Sequence, residues 1–213
     1  MWNGVRVAQQ RRTQAERTAR TRAAILEATV ACLVERGYHG TTTTEVAHRA
    51  GVSLGALVHH FPAKADLLTA AVAYVMELRQ GEFRKAMANV EPGADTLDAA
   101  IDQLWAAVWG PAFEAWLELW VAARTDAQLA EAMLRVEDEF ARSSEETFRE
   151  LFPPNAYPDA EFLRVGLRFA MSVVDGIAVR SLGIKPPDVD LIEVLKSIAR
   201  QFVDPPTTTG SPA

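Results

Sequence analysis

The chain has 213 residues, enough for one large or two small domains, and its 49% hydrophobic and 23% charged residues are typical of a globular protein. Its single cysteine excludes an intrachain disulfide, and the absence of an apolar run after the N-terminal arginines or anywhere along the chain predicts a cytoplasmic protein with no membrane partner. Residues 1–64 carry nine basic and four acidic residues, a net charge of +5, whereas residues 65–213 carry −11, so we expect only the N-terminal part to meet a polyanion.

The N-terminal region begins with residues 1–12, which are polar, basic and without periodicity, and which we predict to be a disordered arm. A first helix is predicted over residues 13–36, because apolar and small side chains recur on one helical face at Ile25, Ala28, Cys32 and Leu33. Gly37 follows, where a left-handed residue commonly ends a helix.

Two short helices come next. Thr42 and Glu45 have the spacing of a capping box, which predicts the start of a second helix that ends at Gly51. Ser53 can cap a third helix over residues 54–60, and Pro62 closes it because the residue before a proline is driven away from helical angles.

The sequence pattern of the remaining two thirds of the chain predicts six further helices. They are predicted over residues 64–90, 96–109, 111–124, 126–151, 159–182 and 188–203, with prolines and glycines at their ends. The tail 205–213 is rich in proline and threonine and is predicted to be disordered. Since no segment alternates with period two, we expect an all-α fold of about nine helices without a sheet.

Residues 40–68 carry the most specific pattern of the sequence, a helix, a tight glycine turn and a second helix. This geometry lets one helix cross a DNA backbone while the next enters the major groove. Gly55 and Ala56 give the third helix a low surface, His59 and His60 can reach bases or phosphates, and Lys64 lies at a helix N-terminus suited to phosphate.

In this segment the sequence resembles the TetR family of regulators over roughly residues 13–75. The resemblance rests on Gly37-Tyr38, Thr42, Glu45-Val46-Ala47, Ala50-Gly51-Val52-Ser53, Gly55, Leu57, His60-Phe61, Lys64 and Leu67-Leu68. It implies a three-helix DNA-binding domain over residues 13–63 and a ligand-binding and dimerisation domain over residues 64–204. The DNA contacts that it implies are Thr42, Thr43, Ser53, Gly55, Ala56, His59, His60 and Lys64.

Val58 departs from the family pattern. The family usually has a tyrosine at this position, and that tyrosine commonly touches the DNA backbone. Valine cannot donate a hydrogen bond, so this contact, and with it the affinity for DNA, is in doubt while the fold is not.

Aromatic side chains are concentrated in the region that the resemblance assigns to ligand binding. They could wall a pocket for a flat or apolar effector, and the predicted lining is Trp105, Trp109, Phe113, Trp116, Trp120, Met133, Phe140 and Phe169. The alternative is that these residues are ordinary core, since aromatic residues at helical spacing usually are.

The last two helices are expected to pair with a second copy of the chain, as in the family, to form a four-helix interface. The residues predicted to lie in this interface are Phe162, Gly166, Val173, Ile192, Leu195, Ala199 and Phe202.

The function predicted from these features is that of a homodimeric repressor that leaves double-stranded operator DNA when a small apolar or aromatic effector binds. The sequence contains no motif of a catalytic nucleophile, phosphate-binding loop or metal site, so we predict no enzymatic activity, no cofactor and no metal. The alternative is a dimeric small-molecule-binding protein whose DNA binding is weakened or lost, which Val58 alone supports.

Overall fold

The computed structural model describes residues 3–91, 95–152, 159–182 and 190–203, and the side chains of residues 14–201 within these ranges. These residues form nine helices and no strand, which confirms the predicted all-α fold. The helices are α1 (Asn3–Gly40), α2 (Thr43–Arg49), α3 (Leu54–His60), α4 (Lys64–Met87), α5 (Thr96–Ala107), α6 (Pro111–Ala123), α7 (Ala127–Leu151), α8 (Ala160–Ser181) and α9 (Leu191–Val203). The predicted tail 205–213 lies outside the described residues.

Helix α1 is longer than predicted. It begins at Asn3 rather than at Thr13, because residues 5–12 contain arginine, glutamine, alanine and valine and no proline that would end a helix. Its predicted end is close to the observed interruption at Gly37, where φ is 67° and ψ is 179°. Backbone with these angles is open almost only to glycine, so Gly37 sets the direction in which the chain continues.

The turn between α2 and α3 is built from local contacts. The Thr42 hydroxyl accepts a hydrogen bond from the Glu45 amide at 3.2 Å, and the Ser53 hydroxyl accepts one from the Ala56 amide at 3.1 Å. Gly51 has φ 66°, and the amide of Val52 donates to the Ala47 carbonyl at 3.0 Å. Both helix starts and the left-handed helix end are therefore satisfied within a few residues of sequence.

The chain divides into two compact units. The first comprises Met1–Glu77 and Pro111–Val136, and its core is formed by residues of α1 to α4 that are almost fully buried. Helix α6 belongs to this unit and packs along α1. Side chains that are almost fully buried in this unit include Ile25, Leu33, Val46, Leu57, Leu67, Phe113 and Leu119.

The second unit comprises Leu78–Gly110 and Glu137–Ala213. Its core contains stacked phenylalanines, with 6.2 Å between the ring centroids of Phe83 and Phe148 and 5.3 Å between those of Phe148 and Phe152. The end of α4, α5, the end of α7 and α8 contribute residues to this core, and α9 packs on α5 and α8. Among the described helices of both units, none is long and apolar enough to cross a membrane.

Candidate nucleic-acid interface and cavities

Helix α3 is anchored by one buried side chain and leaves the rest of its surface open. Leu57 is fully buried among residues of α1, α2 and α4, whereas Leu54 is 46% and Val58 45% exposed. Gly55 is exposed as well, and a Cβ added there would meet only the Ser53 hydroxyl, at 3.9 Å. The helix therefore presents a low, largely apolar face that could approach base edges closely.

The polar residues predicted to contact DNA lie around this face. Thr42 and Ser53 are exposed helix caps, and Thr43 is the half-buried first residue of α2. His59 is exposed and His60 half-buried, with 5.6 Å between their ring centroids. No group of three or more metal-ligating side chains occurs in the described part of the chain, so nothing there marks these histidines as metal ligands.

Lys64 at the start of α4 is held beside the end of α1. Its ammonium lies 5.1 Å from the ring centroid of Tyr38, a cation–π contact. The Tyr38 amide donates to Glu118 Oε2 at 2.8 Å, and the Tyr38 hydroxyl donates to Asp126 Oδ2 at 3.3 Å. Burial together with the Asp126 carboxylate raises the pKa of Tyr38, so this residue stays protonated as a donor.

Several arginines of the first unit are occupied by protein partners. Arg49 forms a two-pronged ion pair with Glu35, and its hydrogen bonds lower the pKa of that carboxyl. Arg36 pairs with Glu45 at 3.0 Å. The exposed arginines Arg17 and Arg20 of α1 lie in the same unit, and they extend the set of cations that could meet phosphate.

The second unit contains a large apolar cavity of about 420 Å³. Helices α5, α7, α8 and α9 wall it, and every lining residue is apolar. Its residues are Leu97, Ile101, Leu104, Phe148, Phe152, Phe162, Leu163, Val165, Gly166, Leu167, Phe169, Ala170, Leu195, Ile198 and Ala199. A volume of this order is typical of sites that hold small molecules.

A second, small cavity of about 20 Å³ lies in the same unit, and a part-buried ion pair is among its lining residues. Arg79 Nη2 and Asp175 Oδ1 are 3.2 Å apart, and the Arg79 guanidinium lies 5.5 Å from the ring centroid of Phe140. Burial lowers the pKa of Arg79 and raises that of Asp175, while each charge opposes the shift of the other. Leu104 lines both cavities.

The eight residues predicted to line a ligand pocket divide between the two units. Trp105, Trp109, Phe140 and Phe169 belong to the second unit, and Phe113, Trp116, Trp120 and Met133 to the first. Phe169 lines the large cavity and Phe140 the small one. Phe113 and Met133 are buried as core, and Trp109 and Trp120 are exposed. Tryptophan spacing along the helices therefore does not locate the cavities.

Of the residues predicted for the dimer interface, some are buried within the chain and others are exposed or half-buried. Ile192 and Leu195 are buried within the chain, because that side of α9 packs inward, and they are not accessible to a partner. Gly166 is exposed, Phe162, Val173 and Ala199 are half-buried, and the side chain of Phe202 lies outside the described part. The exposed apolar residues of these helices are Val165, Phe169, Val179, Val194 and Ile198.

Two residues of these sites, Leu54 and Arg79, were not predicted from the sequence. Leu54 shares the open face of α3 with Val58, and their spacing of four residues on an apolar stripe apart from Leu57 was the available signal. Arg79 lies between Leu78 and Gln80 in α4, and nothing in the sequence connects it with Asp175, which is 96 positions away.

Comparison with known proteins identifies relatives over most of the chain. The family model "Bacterial regulatory proteins, tetR family" matches residues 25–71, which contain α2 and α3. An uncharacterized HTH-type transcriptional regulator of Mycobacterium tuberculosis is 32% identical over 180 residues, which is 84% of this chain and 91% of the relative. The HTH-type transcriptional regulator CymR of Pseudomonas putida is 36% identical over 125 residues, 59% of this chain and 62% of CymR.

Solved structures share the fold. A TetR-family transcriptional regulator from Rhodococcus sp. superposes with a TM-score of 0.68 at 21% identity, covering 87% of this chain and 99% of that one. The multidrug binding protein EbrR complexed with ethidium superposes with a TM-score of 0.62 at 23% identity, covering 86% and 98%.

Proposed function

Because the chain belongs to the TetR family of bacterial transcriptional regulators, we propose that it is a repressor that binds operator DNA as a homodimer and is released by a small effector. The observation that carries this proposal is the surface of α3, which is anchored by buried Leu57 and open on the opposite side. A short helix held in this way can enter the major groove as a rigid element.

The proposed contacts fall into two groups. Residues that surround α3 would bind phosphate groups, and these contacts would set the affinity for DNA and its salt dependence. This group contains Thr42, Thr43, Ser53, His60, Lys64 and His59, of which His59 belongs to both groups. Residues on the open face would meet base edges and so set specificity, and these are Gly55, Ala56 and His59, to which their exposure adds Leu54 and Val58.

Leu54 and Val58 suit the methyl group of thymine, the one apolar feature of the major groove. Once footprinting has located the operator, each thymine in it can be replaced by uracil, which removes only that methyl group. We expect at least one such replacement to weaken DNA binding by the wild-type protein. The same replacement should leave the DNA affinity of Val58→Ala or of Leu54→Ala unchanged, because that variant has already lost the contact with the methyl group. Equal binding to all uracil-substituted duplexes would contradict the assignment.

Apolar helix faces in the second unit support the homodimer. Val165, Phe169 and Val179 are exposed on α8, and Val194 and Ile198 are exposed on α9. Contiguous apolar surface of this kind is uncommon on a monomer, and burying it against a second copy is favourable. Since Val165, Phe169 and Ile198 also line the large cavity, the partner would cover its mouth. Sedimentation of Phe169→Asp should show a shift from dimer towards monomer.

The cavities support the effector site. Of the predicted lining, Phe169 lines the large cavity and Phe140 the small one, so these two would contact a ligand bound there, and the tryptophans remain a prediction. A multidrug binding protein with the same fold is complexed with ethidium, so a bundle of this kind can hold a flat aromatic molecule.

The proposed mechanism is a population shift. The boundary between the two units falls within α4, between Glu77 and Leu78, so one helix runs from the DNA-binding unit into the cavity-containing unit. An effector that favours one tilt of α4 changes the separation of the two α3 helices in the dimer. Because half-sites lie about one helical turn apart (~34 Å), a change of a few ångströms weakens binding.

The test is a fluorescence-anisotropy titration of the protein against its own upstream intergenic DNA at two salt concentrations. We expect tight binding that exceeds binding to a scrambled duplex and weakens steeply with salt. Binding to both duplexes with equal affinity would contradict the proposal for this DNA.

A second candidate function, a dimeric ligand-binding protein with weakened DNA binding, is favoured by one observation. Val58 is exposed on α3 at a position where it cannot donate a hydrogen bond to phosphate. The variant Val58→Tyr separates the two functions. If it converts a protein that does not bind the intergenic DNA into one that does, the native protein has lost DNA binding. If the native protein already binds tightly, the second candidate fails.

A further inference from the structure

The ion pair between Arg79 of α4 and Asp175 of α8 lies inside the second unit. Their side chains are 11% and 26% exposed, and both line the small cavity together with Phe83, Phe140 and apolar residues. Taking two charges out of water costs about as much as their attraction returns, so a buried ion pair adds little to stability. Charged side chains placed at a cavity in this way are typical of a functional site.

Three carboxylates act on Arg79. Burial lowers its pKa, and the carboxylates of Asp175, Glu137 and Glu82 all raise it. Burial also raises the pKa of Asp175 and of Glu82, and the nearby Arg79 guanidinium only partly opposes this shift. These surroundings favour the arrival of a further cation and disfavour that of a further anion.

Aromatic rings at the same place reinforce this preference. The Arg79 guanidinium lies over the ring of Phe140, and the ring centroids of Phe140 and Phe83 are 6.3 Å apart. The face of an aromatic ring attracts cations, and organic ammonium groups are bound in this way once they leave water.

The small cavity alone has room for about one water molecule, so a ligand must also use the neighbouring space. The large cavity of about 420 Å³ is wholly apolar and shares Leu104 with the small one. Rotation of the Leu104 side chain would join an apolar chamber to a charged end. The combined site would match a molecule with an apolar body and one charged group.

We propose that the effector is an amphipathic organic cation, whose apolar body fills the large cavity and whose head passes Leu104 to pair with Asp175. The head takes the place of Arg79 on Asp175, and the negative charges of Glu137 and Glu82 continue to stabilise Arg79. The inference rests on the proposed function, since it names the chemical class of the effector.

The test uses three probes with the same ten-carbon chain and different head charges, namely decyltrimethylammonium, decan-1-ol and decanoate. Each is titrated calorimetrically into the full-length protein without DNA, below its micelle concentration. We expect decyltrimethylammonium to bind about tenfold more tightly than decan-1-ol, and decanoate to bind most weakly. This preference is measured on the unaltered protein, so it does not depend on the folding of any variant.

Variants of the ion pair provide a second readout, because its two members should act in opposite directions. Asp175→Asn should weaken decyltrimethylammonium binding about tenfold and leave decan-1-ol unchanged. Arg79→Gln should tighten decyltrimethylammonium binding, since it removes the native competitor for Asp175. A purely structural ion pair would weaken binding of every probe in both variants. Glu146→Gln, an exposed carboxylate on α7, controls for general attraction of a cation to an acidic protein.

Equal affinity for the three probes, a preference for decanoate, no binding of any probe, or no effect of Asp175→Asn would each overturn the inference. If side chains of a partner copy fill the large cavity, no probe binds. The operator titration is separate, so a protein that binds its operator and prefers decanoate keeps the proposed function and loses only this inference. A protein that binds decyltrimethylammonium and no DNA loses the proposed function instead.

Discussion

The two units of the chain differ in how completely their interiors are filled. In the first unit, Ile25, Val46 and Leu57 are wholly buried and the connections between helices are tight. The second unit contains a cavity of about 420 Å³ and a smaller cavity lined by a part-buried ion pair. A closely packed unit can hold α3 in a fixed orientation, whereas a unit with internal space can rearrange around a ligand.

The two units also differ in the sequence separation of some of their polar contacts. The helix starts and the turn of α2 and α3 depend on local hydrogen bonds, between residues three to five positions apart, and the ion pairs of Arg49 with Glu35 and of Arg36 with Glu45 add contacts to α1. In the second unit ion pairs join distant segments, as in the pair of Lys196 with Asp102 at 2.6 Å and the pair of Arg200 with Asp98. Ion pairs of this kind can exchange partners without breaking a helix, so the second unit can change shape while keeping its secondary structure.

The largest effect is expected when a buried side chain is removed from the core of the first unit. Leu57→Ala should lower the free energy of unfolding by about 2–5 kcal/mol, because it removes the only buried anchor of α3 among its described residues and leaves a cavity. Chemical denaturation would measure the loss, and operator binding should disappear with it. The neighbouring Val58→Ala is the control, since Val58 is exposed and its loss should change stability by less than about 0.5 kcal/mol.

The next effect concerns the two glycines that differ in backbone conformation. Gly37→Ala should cost about 1–3 kcal/mol, because φ is 67° and a Cβ there would lie 3.1 Å from Glu118 Oε2. Gly81→Ala in the second unit should instead stabilise by about 0.5–1 kcal/mol, since Gly81 lies within α4 with open space around it. Equal denaturation midpoints for the two variants would refute the comparison.

Enlarging an alanine tests the difference in packing directly. Ala47→Leu should destabilise by about 1–3 kcal/mol, because Ala47 is buried in the core of the first unit and a larger side chain would have to displace its neighbours. Ala170→Leu should cost less than about 1 kcal/mol, since the added methyl groups can enter the large cavity. It should also weaken effector binding by occupying that space. If both variants lose the same stability at equal protein concentration, the cavity is not free.

The smallest effect is expected at the helix caps, where the two units should behave alike. Ser53 caps α3 through the Ala56 amide, and Asp159 caps α8 through the Phe162 amide at 2.7 Å. Replacing either residue with alanine should cost about 1 kcal/mol in thermal or chemical unfolding. Ser53→Ala should in addition weaken operator binding if Ser53 also contacts phosphate, and Asp159→Ala should leave it unchanged. A loss of DNA affinity in Asp159→Ala would break this contrast.

The sequence was most informative where structure depends on near neighbours. The starts of α2 and α3, the left-handed glycines Gly37 and Gly51, and the predicted bounds of α3 agree with the structure, because caps and turns are specified within about five residues. The apolar face of α1 was also predicted correctly, since helical periodicity identifies the buried side. The start of α1 was missed, because polar residues that favour helix carry no periodic signal.

By itself, therefore, the sequence determined the nine helices of the described residues, the caps and turn of the helix-turn-helix, and the family to which they belong. The tertiary structure decided which side of α9 is buried, that α6 packs on α1, that the tryptophans do not mark the cavities, and that Arg79 meets Asp175. The physical reason is the distance along the sequence between the residues that interact. Caps and periodicity act between residues a few positions apart, whereas a cavity or a buried ion pair exists only once segments about a hundred residues apart have packed together.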